Sequence, residues 1–272
     1  MTYAVTNYWE ERLKRDFSLR GVGNIGFSER YNRWIYRRKL RCLKGALRGV
    51  HLQSKRVLDV GCGTGFFVKW YLTRGCNVTG IDITDISINR LQGMLPGEYY
   101  RRDITAVDYP SAISKFDIIN VWDVLYHVVD DEAHNRALKN IAADLAVGGF
   151  LLITDFLGAA VNTSRAPHVR GRCLHTYEAM LVKRGIQLVA LRPLYKFLNK
   201  SHFGRFDNYL GSLCYIADSF ARKPQRDALC LGIWKKTQMT NTTTYSPSAA
   251  KEGSFPGSPT KTAFHGFSAT KR

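Results

Sequence analysis

The amino-acid sequence predicts an α/β protein with a seven-stranded, mostly parallel sheet, helices on both sheet faces and an N-terminal helical extension. Three observations support this prediction. Apolar, strand-like stretches alternate with helical patterns from Lys55 to Lys236. A glycine-rich turn directly follows the first of these stretches. Acidic residues stand at the ends of successive strands, where open parallel sheets place their ligand sites.

The strands and helices of this domain follow one another along the chain. Seven strands are predicted at about 55–60, 77–82, 98–102, 116–123, 150–155, 186–192 and 228–235, and helices at 64–74, 85–94, 131–146 and 176–184. Gly148 and Gly149 should end the helix that begins at Asp131, because glycine is favoured just after a helix C-terminus.

Three segments differ in composition from the rest of the 55–236 domain. Residues 1–54 predict a basic helical cap, with aromatic and apolar residues near helical spacing. Residues 195–225 form an insertion rich in aromatic and basic residues, which we expect to cover the substrate or contact a partner. Residues 237–272 are rich in Thr, Ser, Gly, Pro and Lys, and we expect this tail to be disordered because it has little apolar surface to bury.

The chain is strongly basic, with a formal net charge of +18. Residues 1–55 carry thirteen Lys or Arg against four Asp or Glu, so this fifth of the chain holds +9, half of the excess. Such a field attracts nucleic acid, acidic lipid headgroups or phosphorylated substrates. The alternative is a basic helix surface that is simply solvated.

Composition also excludes several classes of protein. No run of 18 apolar residues predicts a membrane-spanning helix, and the N-terminus lacks the apolar core of a signal peptide. The six cysteines form no C-x-x-C pair, so we expect no metal site and no redox dithiol. These features predict a cytoplasmic protein with reduced thiols.

The turn after the first strand reads Asp-Val-Gly-Cys-Gly-Thr-Gly, with Asp59 followed by Gly61, Gly63 and Gly65. Glycine lets the backbone adopt positive φ and approach a ligand closely, and a helix N-terminus offers free N–H groups. The dinucleotide fingerprint G-x-G-x-x-G does not fit, because Phe66 takes the place of its third glycine. A phosphate-binding P-loop is also excluded, because Gly-Lys-Ser/Thr is absent.

An acid followed by G-x-G-x-G resembles motif I of the class I S-adenosylmethionine (SAM)-dependent methyltransferases. From about Lys55 to Lys236 the chain is most similar to the small-molecule branch, which includes quinone, sugar and lipid methyltransferases. This resemblance implies a Rossmann-like fold and SAM as the cofactor. It also implies that the motif of Asp59, Gly61, Gly63 and Gly65 binds SAM. The alternative is the glycine-rich turn of some other α/β protein.

Asp82 ends the second strand, 17 residues after Gly65. A carboxylate at this point can accept hydrogen bonds from the ribose hydroxyls of the cofactor, as the acid beyond a dinucleotide-binding glycine turn does. The next residue, Ile83, is placed to pack on the adenine face. The alternative role for Asp82 is to cap the helix that follows it.

The resemblance assigns three further residues to the cofactor site. It implies that Asp103 binds the adenine amino group and that the backbone N–H of Ile104 reaches a ring nitrogen. The alternative for Asp103 is to cap a turn. Asp123, at the end of the fourth strand, is implied to line the methionine part of SAM.

Two histidines are candidate catalytic residues. His127 follows Asp123 by four residues, and a neutral imidazole there could accept a proton from an acceptor hydroxyl or ammonium group. His168 is the second candidate general base. The alternative for His127 is to hold a loop by hydrogen bonds. Arg170 and Arg172 could bind a substrate carboxylate or phosphate, unless they belong to a solvated loop.

The sequence thus predicts SAM-dependent methyl transfer to a small-molecule acceptor, at oxygen in preference to nitrogen. An anionic acceptor would suit the basic N-terminal region. One alternative is an RNA or protein methyltransferase that uses this basic surface. Enzymes that methylate the exocyclic amines of bases usually carry an Asn/Asp-Pro-Pro-aromatic motif after the fourth strand, and here that place reads Asp123-Val-Leu-Tyr. Two others are a peripheral membrane enzyme acting on lipids or quinones, and a SAM-binding module without activity.

Overall fold

A computed structural model of the chain describes residues 5–110, 114–198, 200, 204–220 and 228–238. The predicted disordered tail at 237–272 lies outside these residues, except for its first two positions. Among the described residues, the helices are α1 (Val5–Arg15), α2 (Glu29–Ala46), α3 (Phe66–Leu72), α4 (Asp85–Met94), α5 (Asp131–Asp144), α6 (Leu174–Leu181) and α7 (Asp207–Ser219). The strands are β1 (Arg56–Val60), β2 (Asn77–Asp82), β3 (Glu98–Arg101), β4 (Phe116–Val121), β5 (Leu145–Asp155), β6 (Thr163–Ala166), β7 (Val169–Gly171), β8 (Ile186–Pro193) and β9 (Cys230–Lys236).

Seven of these strands form one sheet, in the order β3-β2-β1-β4-β5-β9-β8. Strands β1 to β5 are parallel to one another, and β9 pairs antiparallel with both β5 and β8. The predicted seven-stranded, mostly parallel sheet is therefore confirmed. The order reverses between β1 and β4, and open α/β sheets bind ligands outside the strand ends at such a point.

Each face of the sheet is covered by its own apolar core, because neighbouring residues of a buried strand point to opposite sides. In β1, Val57 belongs to a core with residues of α2, α3 and α4, whereas Leu58 belongs to a core with residues of α5 and α6. In β4, Ile118 and Ile119 divide in the same way. Helices on both faces are thus confirmed.

The N-terminal extension is packed into the domain. The buried guanidinium of Arg38, on α2, donates hydrogen bonds to the carbonyl oxygens of Leu194 at 2.7 Å and Pro193 at 3.1 Å. Glu10, on α1, accepts a hydrogen bond of 2.9 Å from the backbone N–H of Asp85 in the first turn of α4. In the part of the chain that the structure describes, no helix has the length and apolarity needed to cross a membrane.

The predicted end of the helix from Asp131 was wrong. Helix α5 ends at Asp144, and Gly148 and Gly149 lie inside β5. Leu145 is buried and pairs with Phe116 in β4, followed by a register shift. Gly149 is needed for close packing of β5 on β4 and not for helix capping, because a Cβ there would lie 2.9 Å from the carbonyl oxygen of Asp117.

Two features lie in regions without a detailed prediction. Strands β6 and β7 form a separate antiparallel pair. Helix α7, within the 195–225 insertion, packs against α2, and the backbone N–H of Ser28 donates a 2.8 Å hydrogen bond to Asn208. A Cβ at Gly211 would lie 2.8 Å from the Trp34 ring, so the close contact of the two helices requires glycine there.

Candidate functional site

A cavity of about 300 Å³ opens at the carboxyl ends of β1, β2, β3 and β4. Its volume lies at the lower end of the range for small-molecule sites. Nine of the eleven residues predicted for the site line it: Asp59, Gly61, Gly63, Asp82, Ile83, Asp103, Ile104, Asp123 and His127. The other two, Gly65 and His168, are not among its lining residues.

The glycine turn forms one wall of this cavity. Gly61 has φ of 70° and Gly63 has φ of 50°, in the left-handed region that favours glycine. A Cβ at Gly61 would lie 2.4 Å from the side chain of Val124, and one at Gly63 would lie 3.0 Å from Val22. Backbone therefore lines the cavity at two positions where a larger residue would be both strained and crowded.

Gly65 has a packing role in this structure. It stands at the N-cap of α3 with φ of 75°. A Cβ there would lie 2.6 Å from the side chain of Leu91 and 2.9 Å from that of Leu95. The third glycine thus lets the turn pack closely against α4 and against Leu95, which follows α4.

Asp82 holds the glycine turn. Its Oδ2 accepts a 2.9 Å hydrogen bond from the N–H of Gly63, and its Oδ1 accepts from the N–H and the hydroxyl of Thr84, at 2.9 and 2.7 Å. The N-cap of α4 is Thr84, so Asp82 does not occupy the capping position. Burial raises the pKa of Asp82, and its hydrogen bonds oppose this shift. Gly63 and Thr84 thus use three of the roughly four acceptor positions of this carboxylate.

Asp59 is buried near the end of β1 and forms a hydrogen bond with Asn120. The sequence analysis did not identify Asn120 as a residue of the site. The Asn120 amide donates a 2.6 Å hydrogen bond to Asp59, and its own oxygen accepts from the Trp122 indole and the Tyr71 hydroxyl. Burial raises the pKa of Asp59 to about 7, and nearby Asp82 contributes to this shift. The sequence signal for Asn120 was a polar residue within the apolar second half of β4, between Ile119 and Val121.

Asp103 and Ile104 line the cavity after β3. Oδ1 of Asp103 accepts hydrogen bonds from the N–H and the hydroxyl of Thr105, at 2.8 and 2.7 Å. This is the turn-capping arrangement, and it holds Asp103 at the cavity. The Asn140 amide donates to the carbonyl oxygen of Ile104 at 2.9 Å and so fixes the same loop from α5.

Asp123 forms an ion pair with Lys39, which the sequence analysis missed. Asp123 has φ of 58°, unusual for a residue other than glycine, and its N–H donates a 2.8 Å hydrogen bond to the hydroxyl of Thr154. The Lys39 side chain is only 3% exposed, and its ammonium lies 4.1 Å from the Tyr36 ring centroid. Burial lowers the pKa of Lys39, but the Asp123 carboxylate outweighs this effect and raises it above its ordinary value.

One signal for Lys39 was present in the sequence. Lys39 is four residues from both Ile35 and Leu43 and three from Cys42, so it shares one face of α2 with these three buried apolar residues. A lysine on the apolar face of a helix needs a buried partner. That partner lies 84 residues away and could not be identified from helical spacing.

His127 lines the cavity in the form that a general base requires. Its Nδ1 lies 3.0 Å from the carbonyl oxygen of His168. Because a carbonyl oxygen can only accept, Nδ1 carries the proton and Nε2 is the acceptor in the neutral ring. Burial lowers the pKa of His127 to about 4, so the ring is neutral at physiological pH. The edge of Trp9, on α1, packs on this ring, with centroids 5.2 Å apart.

His168 and the two nearby arginines lie differently from expectation. His168 supplies its carbonyl oxygen to His127, and the two rings stack with centroids 6.1 Å apart. Arg170 and Arg172 both pair with Asp131, and Arg172 is buried. Neither of the two roles considered for these arginines included this pairing with a carboxylate of α5, and binding of a substrate anion by them stays a prediction.

The residues at the cavity fit a ligand with a nucleoside and an amino-acid group. Because Gly61 and Gly63 have no side chain, a ligand can lie close to the backbone of the glycine turn. Three acids at strand ends, Asp82, Asp103 and Asp123, are acceptors for hydroxyl, amino and ammonium groups, and Lys39 adds a cation. Within the described ranges, no group of three or more His, Cys, Asp or Glu side chains is placed to hold a metal ion.

Comparison with known proteins agrees with this geometry. Residues 30–201 match the model of a methyltransferase domain family. A ubiquinone biosynthesis O-methyltransferase of Bordetella avium (strain 197N) is 31% identical over 139 residues, which cover 47% of this chain and 56% of the relative. One of the same name from Coxiella burnetii (strain Dugway 5J108-111) is 34% identical over 117 residues, 41% of this chain and 48% of the relative. The chain thus matches about half the length of these curated relatives.

Solved structures share the fold at low sequence identity. N-methyltransferase NodS from Bradyrhizobium japonicum WM9, in complex with S-adenosyl-L-homocysteine, has a TM-score of 0.58 at 20% identity, covering 85% of this chain and 98% of NodS. Magnesium protoporphyrin IX methyltransferase from Synechocystis PCC 6803, with bound S-adenosylhomocysteine, has a TM-score of 0.58 at 15% identity, covering 86% and 98%. With its family match over residues 30–201, this chain belongs to the methyltransferase domain family.

Proposed function

We propose that this chain transfers the methyl group of SAM to an oxygen atom of a small-molecule acceptor. The observation that carries the proposal is a single cavity lined by the glycine turn, three strand-end acids and a neutral His127. The curated relatives named as O-methyltransferases of ubiquinone biosynthesis support oxygen as the target atom.

In this proposal the cofactor lies along the ends of the strands. The backbone of Gly61 and Gly63 lies against the nucleoside, and Asp82 accepts from one of its ribose hydroxyls. Asp103, Ile83 and Ile104 surround the adenine, as the family resemblance implies. SAM supplies a methyl group already activated on a sulfonium, so the protein's part is to orient the reactants and exclude water.

The ion pair of Lys39 and Asp123 has a further role in the proposal. The two side chains present opposite charges at one end of the cavity. An amino-acid group carries an ammonium and a carboxylate, which complement these two charges. We therefore assign Lys39 to the cofactor carboxylate and Asp123 to its ammonium group.

His127 is the proposed general base for the acceptor hydroxyl. A hydroxyl oxygen becomes a stronger nucleophile when it loses its proton during methyl transfer, and Nε2 of a neutral imidazole can accept that proton. The described lining is rich in aromatic side chains, which suit a planar, hydroxylated acceptor: Trp9, Tyr36, Phe66, Phe67 and Trp122. Lys39 and Arg102 are the only Lys or Arg side chains among the described lining residues, so the cavity offers little contact to a strongly anionic acceptor.

A cytoplasmic location is part of the same proposal. All six cysteines have free thiols, and five of them are buried. Reduced thiols are typical of the cytoplasm, where disulfides rarely persist.

The experiment is an acceptor screen with methyl-labelled SAM and the full chain. Hydroxylated aromatic compounds and their amino analogues are tested in matched pairs, and mass spectrometry of the products identifies the methylated atom. The proposal expects label on the hydroxyl compounds. Label only on the amino compounds would contradict oxygen as the target, and label on added RNA or protein alone would contradict a small-molecule acceptor.

A further inference from the structure

Helix α7 carries an exposed apolar stripe, and none of its residues lines the cavity. Tyr209, Leu213, Ile216 and Phe220, which we call the apolar stripe, are four, three and four residues apart, so they share one face of the helix. Their exposed fractions range from 54% to 78%. Contiguous exposed apolar surface of this kind marks an interaction site in a folded protein.

The neighbouring helix carries an exposed basic stripe. It consists of residues three or four apart along α2 and the turn after it: Arg30, Arg33, Arg37, Arg41, Lys44 and Arg48. Arg33 has an ion pair with Glu29 at 3.5 Å. No carboxylate of the described residues pairs with the other five, which leaves the stripe with a strong positive field.

Helices α2 and α7 pack against each other and run in the same direction, so the two stripes run alongside one another. Ser28 contacts Asn208 at one end, and the rings of Trp34 and Tyr215 are 5.4 Å apart further along. The guanidinium of Arg37 lies 4.4 Å from the Trp34 ring centroid, so the basic stripe reaches the helix contact itself.

At the far end of the helix pair, Arg41, Lys44 and Arg48 line a groove together with Arg192 and Ser219. Among the described residues that line this groove, none is acidic. Ser219 is the last residue of α7, next to Phe220 of the apolar stripe. The basic groove and the end of the apolar stripe are therefore adjacent.

We propose that the apolar stripe and the basic stripe together dock the chain on an anionic lipid bilayer. Aliphatic and aromatic side chains of a surface helix enter the boundary between headgroups and acyl chains, while arginine and lysine bind lipid phosphates. Charge complementarity selects this partner. A second copy of the chain packed through α7 would bring two basic stripes together, and a nucleic acid would leave the apolar stripe in water.

The experiment is vesicle co-sedimentation with the full chain. One set of vesicles is pure phosphatidylcholine, and the other contains about one third phosphatidylglycerol. We expect binding to the anionic vesicles only, weakened by salt. Leu213→Ser with Ile216→Ser should lower the partition coefficient at least about tenfold. Arg41→Gln with Lys44→Gln and Arg48→Gln should lower it by about two orders of magnitude.

The matched control removes three positive charges from exposed lysines that belong to neither stripe nor to the groove, with Lys69→Gln, Lys139→Gln and Lys183→Gln. This triple variant should bind anionic vesicles within about threefold of the original chain, because charges beyond the Debye length of the surface are screened. All the substituted residues are exposed, so thermal unfolding should be unchanged in every variant.

Three results would overturn the proposal. Equal binding to both kinds of vesicle would show that charge plays no part. Equal losses in the basic-stripe and control variants would show a general charge effect. A dimer in solution that Leu213→Ser and Ile216→Ser dissociate, without vesicle binding, would assign the apolar stripe to a second copy of this chain.

Discussion

At the scale of single residues, Asp59 is a residue of the site that lowers the free energy of unfolding of the chain at neutral pH. In the folded chain its pKa is about 7, against an ordinary value of 3.8. Between these two values the folded state holds a proton that the unfolded state has lost, so stability falls as pH rises. We expect Asp59→Asn to match the original chain near pH 4 and to exceed its free energy of unfolding by roughly 2–4 kcal/mol at pH 8, measured by urea unfolding.

Asp117→Asn is the matched control for this measurement. Although partial burial raises the pKa of Asp117, the N–H of Arg56 and the ammonium of Lys55 lower it below its ordinary value. Its stabilising effect is therefore present at neutral pH and lost as pH falls, the opposite sign from Asp59. If Asp59→Asn has no pH-dependent effect on stability, burial does not perturb Asp59 as the structure indicates.

Gly63 tests where the cofactor lies. Gly63→Val places a branched side chain at φ of 50°, beside Val22 and on the cavity wall, so we expect SAM binding to be lost. Gly93→Val is the control, because a Cβ at that exposed α4 position meets no atom within 4 Å. Calorimetry should show unchanged affinity for the control. Retained binding by Gly63→Val would place the cofactor elsewhere.

His127 tests the proposed base. We expect His127→Asn to lower kcat by about 10²–10⁴ while SAM affinity is unchanged, because the base acts only on the acceptor proton. Since the pKa of His127 is about 4, kcat of the original chain should not fall through an inflection near pH 6.5. His168→Asn is the control, because it retains the backbone carbonyl that accepts from His127 and removes only the ring stacked on it. Equal losses in both variants would indicate a loop-holding role.

At the scale of elements, Lys39 connects α2 to the end of β4 through its ion pair with Asp123. We expect Lys39→Met to weaken S-adenosylhomocysteine binding at least about tenfold, because the carboxylate of the ligand loses its cation. Affinity for 5′-methylthioadenosine, which lacks the amino-acid group, should be unchanged. Equal loss for both ligands in calorimetry would mean that Lys39 only supports the structure of the site.

The sequence predicted an element correctly where the local pattern of residues determines it, and not where a contact with a distant residue does. Strands β1, β4 and the second half of β5 were predicted because buried parallel strands are largely apolar runs bounded by turns. The end of α5 was not, because Leu145 enters β5 by pairing with Phe116, a contact between distant residues. Lys39 and Asn120 were missed for the same reason, since the residues that give them a role lie 84 and 61 positions away.

At the scale of the whole molecule, the site follows from the order of strands in the sheet. Parallel strands bring their carboxyl ends to one edge, so Asp59, Asp82 and Asp123 meet there although they are distant in sequence. The alternation of elements was enough to predict this edge. It could not predict the packing of the extension, where α2 adds Lys39 to the cavity and α7 packs on α2.

The most direct test of the account is calorimetric titration of the full chain with SAM and with S-adenosylhomocysteine. A cavity built from the glycine turn and the strand-end acids predicts micromolar binding of both, with one molecule per chain, and loss of both in Gly63→Val. No binding of either at millimolar concentration, by a chain that is folded by circular dichroism, would contradict a SAM-dependent function and leave the glycine turn to another ligand.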